Sequence, residues 1–173
     1  MIIFIDNIRK YKFRINDIIK VGSRIYKIIG IEMLEHEESM GSVSAGSTSD
    51  YDFDTNLKPS DGYAYFIEFI GISGLCKFRF EFPKGQPHFT PHGILEYIDF
   101  DHANRLRPMY VPFIIFNPEY PSVKLYNPSD VANTPYMYFR GEKFEIESLT
   151  SIPPGERVID LLDYPRKGNL GVA

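Results

Sequence analysis

Tryptophan is absent from these 173 residues and cysteine occurs once. A single thiol, Cys76, excludes an internal disulfide and any thiolate metal centre built within one chain. It stands in "GLCKFRFEF", where a small buried hydrophobe is the structural expectation. No stretch approaches the roughly 20 apolar residues that span a bilayer. The opening "MIIFIDNIRKYKFR" places its basic residues after a short apolar run, the reverse of a secretory signal. The expectation is therefore synthesis in the cytosol, with no export signal and no membrane span. Positive charge is not in excess either. The 19 Lys and Arg stand against 23 Asp and Glu, a net charge of −4. No basic cluster exists to attract a phosphate backbone, which excludes nucleic acid as the main partner. The chain also lacks a Gly-x-x-x-x-Gly-Lys loop for phosphates and a Gly-x-Ser-x-Gly elbow for a nucleophile.

What the chain has in quantity is Phe and Tyr, 14 and 12 of them. Both favour the pleated, half-buried surface of a strand. Strand patterns run nearly throughout. "DIIKVGSRIYKIIGIEML" (17–34) reads as two strands about a Gly22 turn, the second stiffened by Ile25, Ile28, Ile29 and Ile31. "YAYFIEFIGI" (63–72) is apolar on both faces except for Glu68, so it predicts a central strand. "CKFRFEF" (76–82) alternates Phe78, Phe80 and Phe82 against Lys77, Arg79 and Glu81, a strand with one wet side. Residues 71–74 predict a hairpin joining those two strands.

Between them lies "EHEESMGSVSAGSTSDYDFDTNLKPSDG" (35–62), acidic and Gly/Ser-rich, which predicts a long loop held by something outside itself. "PKGQPHFTPHG" (83–93) is a loop by its prolines and glycines. "ILEYIDFDHANRL" (94–106) fits a short helix and an alternating strand about equally. From Met109 onward "MYVPFIIF", "PSVKLYN", "PYMYFRG", "KFEIESL" and "ERVIDLL" are short strands spaced near 10 residues, the pattern of a β-sandwich. The predicted class is all-β and mainly antiparallel, with at most one or two short helices. A barrel-like or sandwich-like half, 1–107, is followed by a galectin-like or jelly-roll-type sandwich, 108–173. The boundary near Arg107–Pro108 is soft, and one domain is the alternative.

Candidate chemistry is sparse. His88, His92, Asp99, Asp101 and His102 are the densest group of potential ligands. Histidines four apart share a face only on a helix, and Pro87 and Pro91 forbid one. "DYDFDT" places Asp50, Asp52 and Asp54 as the first half of a calcium loop does, but the sixth position is Thr55 where such a loop requires glycine. Tyr120, Tyr126, Tyr136 and Tyr138 would serve either as a stacking face for sugar rings or as packing between sheets and subunits. No catalytic residue, cofactor or metal ligand is assigned, and no enzyme is expected.

The stretch from "LYNPSDVANTPYMYFRG" through "FEIESL" to "IPPGERVIDLLDYPRKGN" resembles the C-terminal β-sandwich of bacteriophage distal tail proteins, baseplate subunits joining tail tube to receptor-binding apparatus. The shared order is a strand, a turn at Asn127, a strand led by Pro135 and ended by Gly141, and a further strand. A Gly155–Glu156 turn then leads into a strand ending at Asp160. The resemblance covers about residues 124–169, and Pro128 stands where a glycine is usual. It implies a non-enzymatic structural subunit of a virion, in tail, baseplate or neck. Such a subunit works in a homo- or hetero-oligomer, with the 35–62 segment lying on a neighbour. The alternatives are a carbohydrate-binding sandwich using Tyr136 and Tyr138, and a cupin-like metalloenzyme using His88, His92 and His102.

Overall fold

The computed structural model describes residues 2–4, 12–52, 57–81 and 106–161. Among the described residues the chain is all-β, with ten strands and no helix. The strands are β1 (Ile2–Phe4), β2 (Ile18–Val21), β3 (Arg24–Ser39), β4 (Thr48–Asp52) and β5 (Tyr63–Ser73). They continue with β6 (Lys77–Glu81), β7 (Leu106–Phe116), β8 (Ser122–Tyr126), β9 (Tyr136–Leu149) and β10 (Val158–Asp160). A seven-stranded sheet has the order β1-β7-β5-β9-β3-β2-β10, and a three-stranded sheet has β4-β8-β6. Pairing is antiparallel except for β10 on β2. Both sheets draw strands from either side of Arg107–Pro108, and those two residues lie within β7.

Each strand obeys local chemistry. Val21 pairs with Arg24 across a two-residue turn. Gly22 takes φ +62° at the first central position, a turn whose twist suits a hairpin. β3 is far longer than its isoleucine run, because Glu35–Ser39 continue the ladder opposite Tyr136–Arg140 of β9. This corrects the expectation of a loop over 35–62. Met40 and Val43 are buried, Val43 bridges Asn133, and Thr48–Asp52 form a strand against β8. The described part of the segment is held by the chain's own surface. Glu35, Glu37, Asp50 and Asp52 occupy the wet face of their strands, which a composition argument reads as a loop.

Two further expectations fail. β5 and β6 do not form a hairpin: β5 belongs to the large sheet and β6 pairs with β8 in the small one, so residues 74–76 cross between sheets. Gly74, at φ +102°, makes that crossing, and the Leu75 N–H donates to Asn133 Oδ1 at 3.3 Å. Gly141 does not end a strand either, since β9 runs unbroken through it for 14 residues. The possible helix over 94–106 lies outside the described residues except for Leu106, which opens β7, and no helix among the described residues is long and apolar enough to cross a membrane.

Two apolar cores occupy opposite faces of the large sheet. The first lies between the sheets and gathers Ile67, Ile70, Ile72, Phe78, Phe113, Ile115, Val123, Leu125, Met137 and Phe139. The second collects Ile19, Val21, Ile28, Ala64, Phe66, Ile114, Phe116, Phe144 and Ile159 around Phe13. Alternation along β7 explains the split, with Phe113 and Ile115 turned one way and Ile114 and Phe116 the other. Tyr26 of β3 stacks on Phe116 of β7 with centroids 5.2 Å apart. Two strands lie between β3 and β7, and three strand spacings are about 14 Å. The sheet must therefore curl to bring the rings together, and the second core fills the curl. Fully buried phenylalanines such as Phe66, Phe78 and Phe144 each contribute about 2–3 kcal/mol.

Candidate functional site

The outer face of β3, β9 and β5, beyond the second core, is the part of the described surface with the most concentrated chemistry. It begins with a β-bulge. The register of β5 against both β7 and β9 shifts between Ile67 and Phe69, leaving Glu68 as the extra residue. The insertion reverses the alternation, so Ala64 and Phe66 point to the second core while Ile70 and Ile72 point to the first. Gly141 lies against the bulge. A Cβ there would overlap the Phe66 carbonyl oxygen and stand 2.9 Å from its carbon and 3.2 Å from Ile67 Cα. Only glycine permits this backbone approach.

On either side of Gly141, β9 presents Tyr136, Tyr138, Arg140 and Glu142 to this face, opposite Ser39, Glu37, Glu35 and Met33 of β3. Two shallow depressions of about 370 and 390 Å³ meet at Arg140. One is bordered by Glu35, Glu37 and Tyr138, the other by Met33, Glu68, Phe69 and Glu142. Arg140 Nε lies 3.6 Å from Glu35 Oε1. Burial pushes the Glu68 carboxyl above its ordinary range, an effect opposed by Arg140. Burial also raises Glu142, Glu68 raises it further, and Lys12 pulls it back. Like charges held together in partly desolvated surroundings favour the protonated form of one of them. Met33 and Tyr136 add apolar surface, 68% and 41% exposed.

Among the described residues, those singled out from sequence do not converge. Asp50 lies on the outer face of the small sheet, where Lys124 Nζ is 3.5 Å from its Oδ1, so a lysine meets the carboxylate that a calcium loop would direct at its ion. Asp54 lies outside the described residues, as do His88, His92, Asp99, Asp101 and His102. Among the described residues no three His, Cys, Asp or Glu side chains are grouped to hold a metal. Tyr126 is on the outer face of the small sheet and Tyr136 and Tyr138 on that of the large one, so no single stacking face contains all three. Lys58 Nζ stands 5.5 Å from the Tyr120 ring centroid. Cys76 is 2% exposed in the first core, where burial pushes its thiol up.

Residues that carried the resemblance have structural duties. The Asn127 side chain is wholly buried and donates to Val43 O at 3.0 Å and Val131 O at 2.8 Å. Its oxygen accepts from Ser129 N at 3.0 Å, closing the turn that starts the 127–135 loop. Gly155 takes φ +83° in the turn before β10. Glu156 pairs with Lys27 at 3.6 Å and Asp160 with Lys20 at 3.5 Å. Arg157, between them, donates from Nε and Nη2 to buried Asp17 at 2.9 and 2.5 Å and from Nη2 to Lys12 O. Its hydrogen bond to Asp17 raises the guanidinium pKa still further.

Pattern reasoning missed the Glu68, Arg140 and Glu142 group. One signal for it was present, a lone glutamate in a strand otherwise apolar on both faces. No protein-family model, no curated protein and no solved structure matches the chain.

Proposed function

We propose that this protein is a non-enzymatic structural subunit of a bacteriophage virion, in tail, baseplate or neck, working in a homo- or hetero-oligomer. The observation that carries the reading is the role of β9. It pairs with β3 from Tyr136 to Leu149 and with β5 from Tyr136 to Glu145, and sends Met137 and Phe139 into one core and Phe144 into the other. One strand thereby fixes two cores to one sheet and leaves a broad outer face. That arrangement suits a stiff body whose work is to dock, and the turn order over 124–169 supports the phage class by resemblance. The test is assembly. Sedimentation of the purified chain, alone and with the tail proteins encoded beside it, should give defined multimers. A chain that stays monomeric with every such neighbour, or that turns over a small molecule, refutes the proposal.

A carbohydrate-binding role has one observation in its favour: Tyr136 and Tyr138 share a face of β9 beside a depression. Stacking on pyranose rings would need both. A glycan array probed with the parent and with Tyr138→Ala decides it, and absence of any ligand for the parent eliminates it.

A further inference from the structure

We propose that the groove along β3 and β9 is a docking site for an extended Lys/Arg-bearing segment of a neighbouring protein chain. The occupant's being a fellow subunit rests on the function proposed above; its chemistry does not. Five carboxylates, from Glu32, Glu35, Glu37, Glu68 and Glu142, line this groove or its rim. Among the described residues the cations that meet them are Arg140 at the centre and Lys12 beside Glu142. The groove is thus left with an excess of negative charge, and a cationic partner complements it.

Spacing argues for an extended occupant. Glu35 and Glu37 are two residues apart on one strand, so they repeat at about 6.8 Å, the same-face repeat of any extended chain. A segment alternating basic and apolar residues would therefore set successive cations against successive carboxylates. Inward-facing positions beyond those cations would meet Met33 at one end and Tyr136 at the other, both exposed, with Phe69 alongside. Glu68 and Glu142 repel each other across the bulge. A cation seated between them relieves that repulsion, which gives the bulge a use beyond redirecting β5.

The probe is a fluorescein-labelled peptide of alternating lysine and valine, with a glutamate–valine peptide as control. It is titrated into the full chain and followed by anisotropy at low and high salt. The lysine peptide should bind, weaken with salt, and perturb backbone amide signals of 33–37, 68–69 and 138–142 in nuclear magnetic resonance spectra. Glu68→Gln with Glu142→Gln, which keeps side-chain shape, should weaken binding about tenfold. Arg140→Gln should tighten it, because a competing cation is removed. Equal binding by all variants, perturbations mapping elsewhere, or no binding overturns the proposal. Self-association that the glutamine variant abolishes, with no peptide bound, assigns the face to a second copy and overturns it too. Peptide binding by a chain that enters no assembly would leave this site standing and remove the virion reading. Assembly without peptide binding would do the reverse.

Discussion

Replacing Gly141 with alanine tests the account of the sheet most directly. The atoms a new Cβ would meet are all backbone: the Phe66 carbonyl oxygen, which it would overlap, its carbon at 2.9 Å and Ile67 Cα at 3.2 Å. None can rotate away. A carbon and a carbonyl oxygen tolerate an approach of about 3.3 Å, so β5 and β9 must part by on the order of 1 Å. Parting them weakens two or three ladder hydrogen bonds at about 1 kcal/mol each. It also disturbs the packing of Ile67, Phe139 and Phe144, at a further cost of about 1–3 kcal/mol. The total, about 3–6 kcal/mol, is a large part of the 5–15 or so that holds an ordinary domain together. Urea unfolding followed by circular dichroism should show the midpoint falling by about 2 M. Gly46→Ala is the control, with φ +65° and nothing within 4 Å of a Cβ. Backbone strain alone should cost it about 1 kcal/mol. If Gly141→Ala proves no worse than Gly46→Ala, the close approach of β9 to the bulge is not what makes residue 141 glycine.

Three other outcomes are expected. Arg157→Ala strands the buried Asp17 carboxylate and should cost about 2 kcal/mol in the same assay, the arginine's partial exposure limiting the loss; an unchanged midpoint would deny the clasp any role. Asn127→Ala leaves the Val43 and Val131 carbonyls without this donor and should cost about 3 kcal/mol, and a neutral result would mean that the 127–135 loop is organised otherwise. Glu142→Gln tests the raised carboxyl. A folded-state pKa above the unfolded one means that the native state holds more protons between the two. The contribution to stability is therefore present below the ordinary value of 4.5 and lost as pH rises through the raised one. The variant should raise the melting temperature at neutral pH and hardly change it at about pH 4; a loss at neutral pH would reverse the sign and refute the assignment.

Much of the architecture was legible because strand chemistry is local. Alternation in "KFRFE" placed Phe78 inward, and Gly22 marked its turn without error. What escaped depends on partners distant in sequence. Glu35–Ser39 are as polar as any loop and become strand only because β9 supplies a ladder for them. Gly141 looked like punctuation, since its reason lies in the Phe66 backbone, 75 positions earlier in the chain. The candidate groove was hidden for the same cause. Glu68 stood out, but Arg140 and Glu142 join it only through pairing of β5 with β9.

The sheet order has a consequence for how the polypeptide is made. β3 leaves the ribosome roughly a hundred residues ahead of its partner β9. At about 5–20 residues per second, that is some 5–20 s of synthesis with a 16-residue strand lacking one neighbour. The glutamates that end it, at 35, 37 and 38, carry like charge, which keeps two nascent copies from pairing edge to edge during the wait.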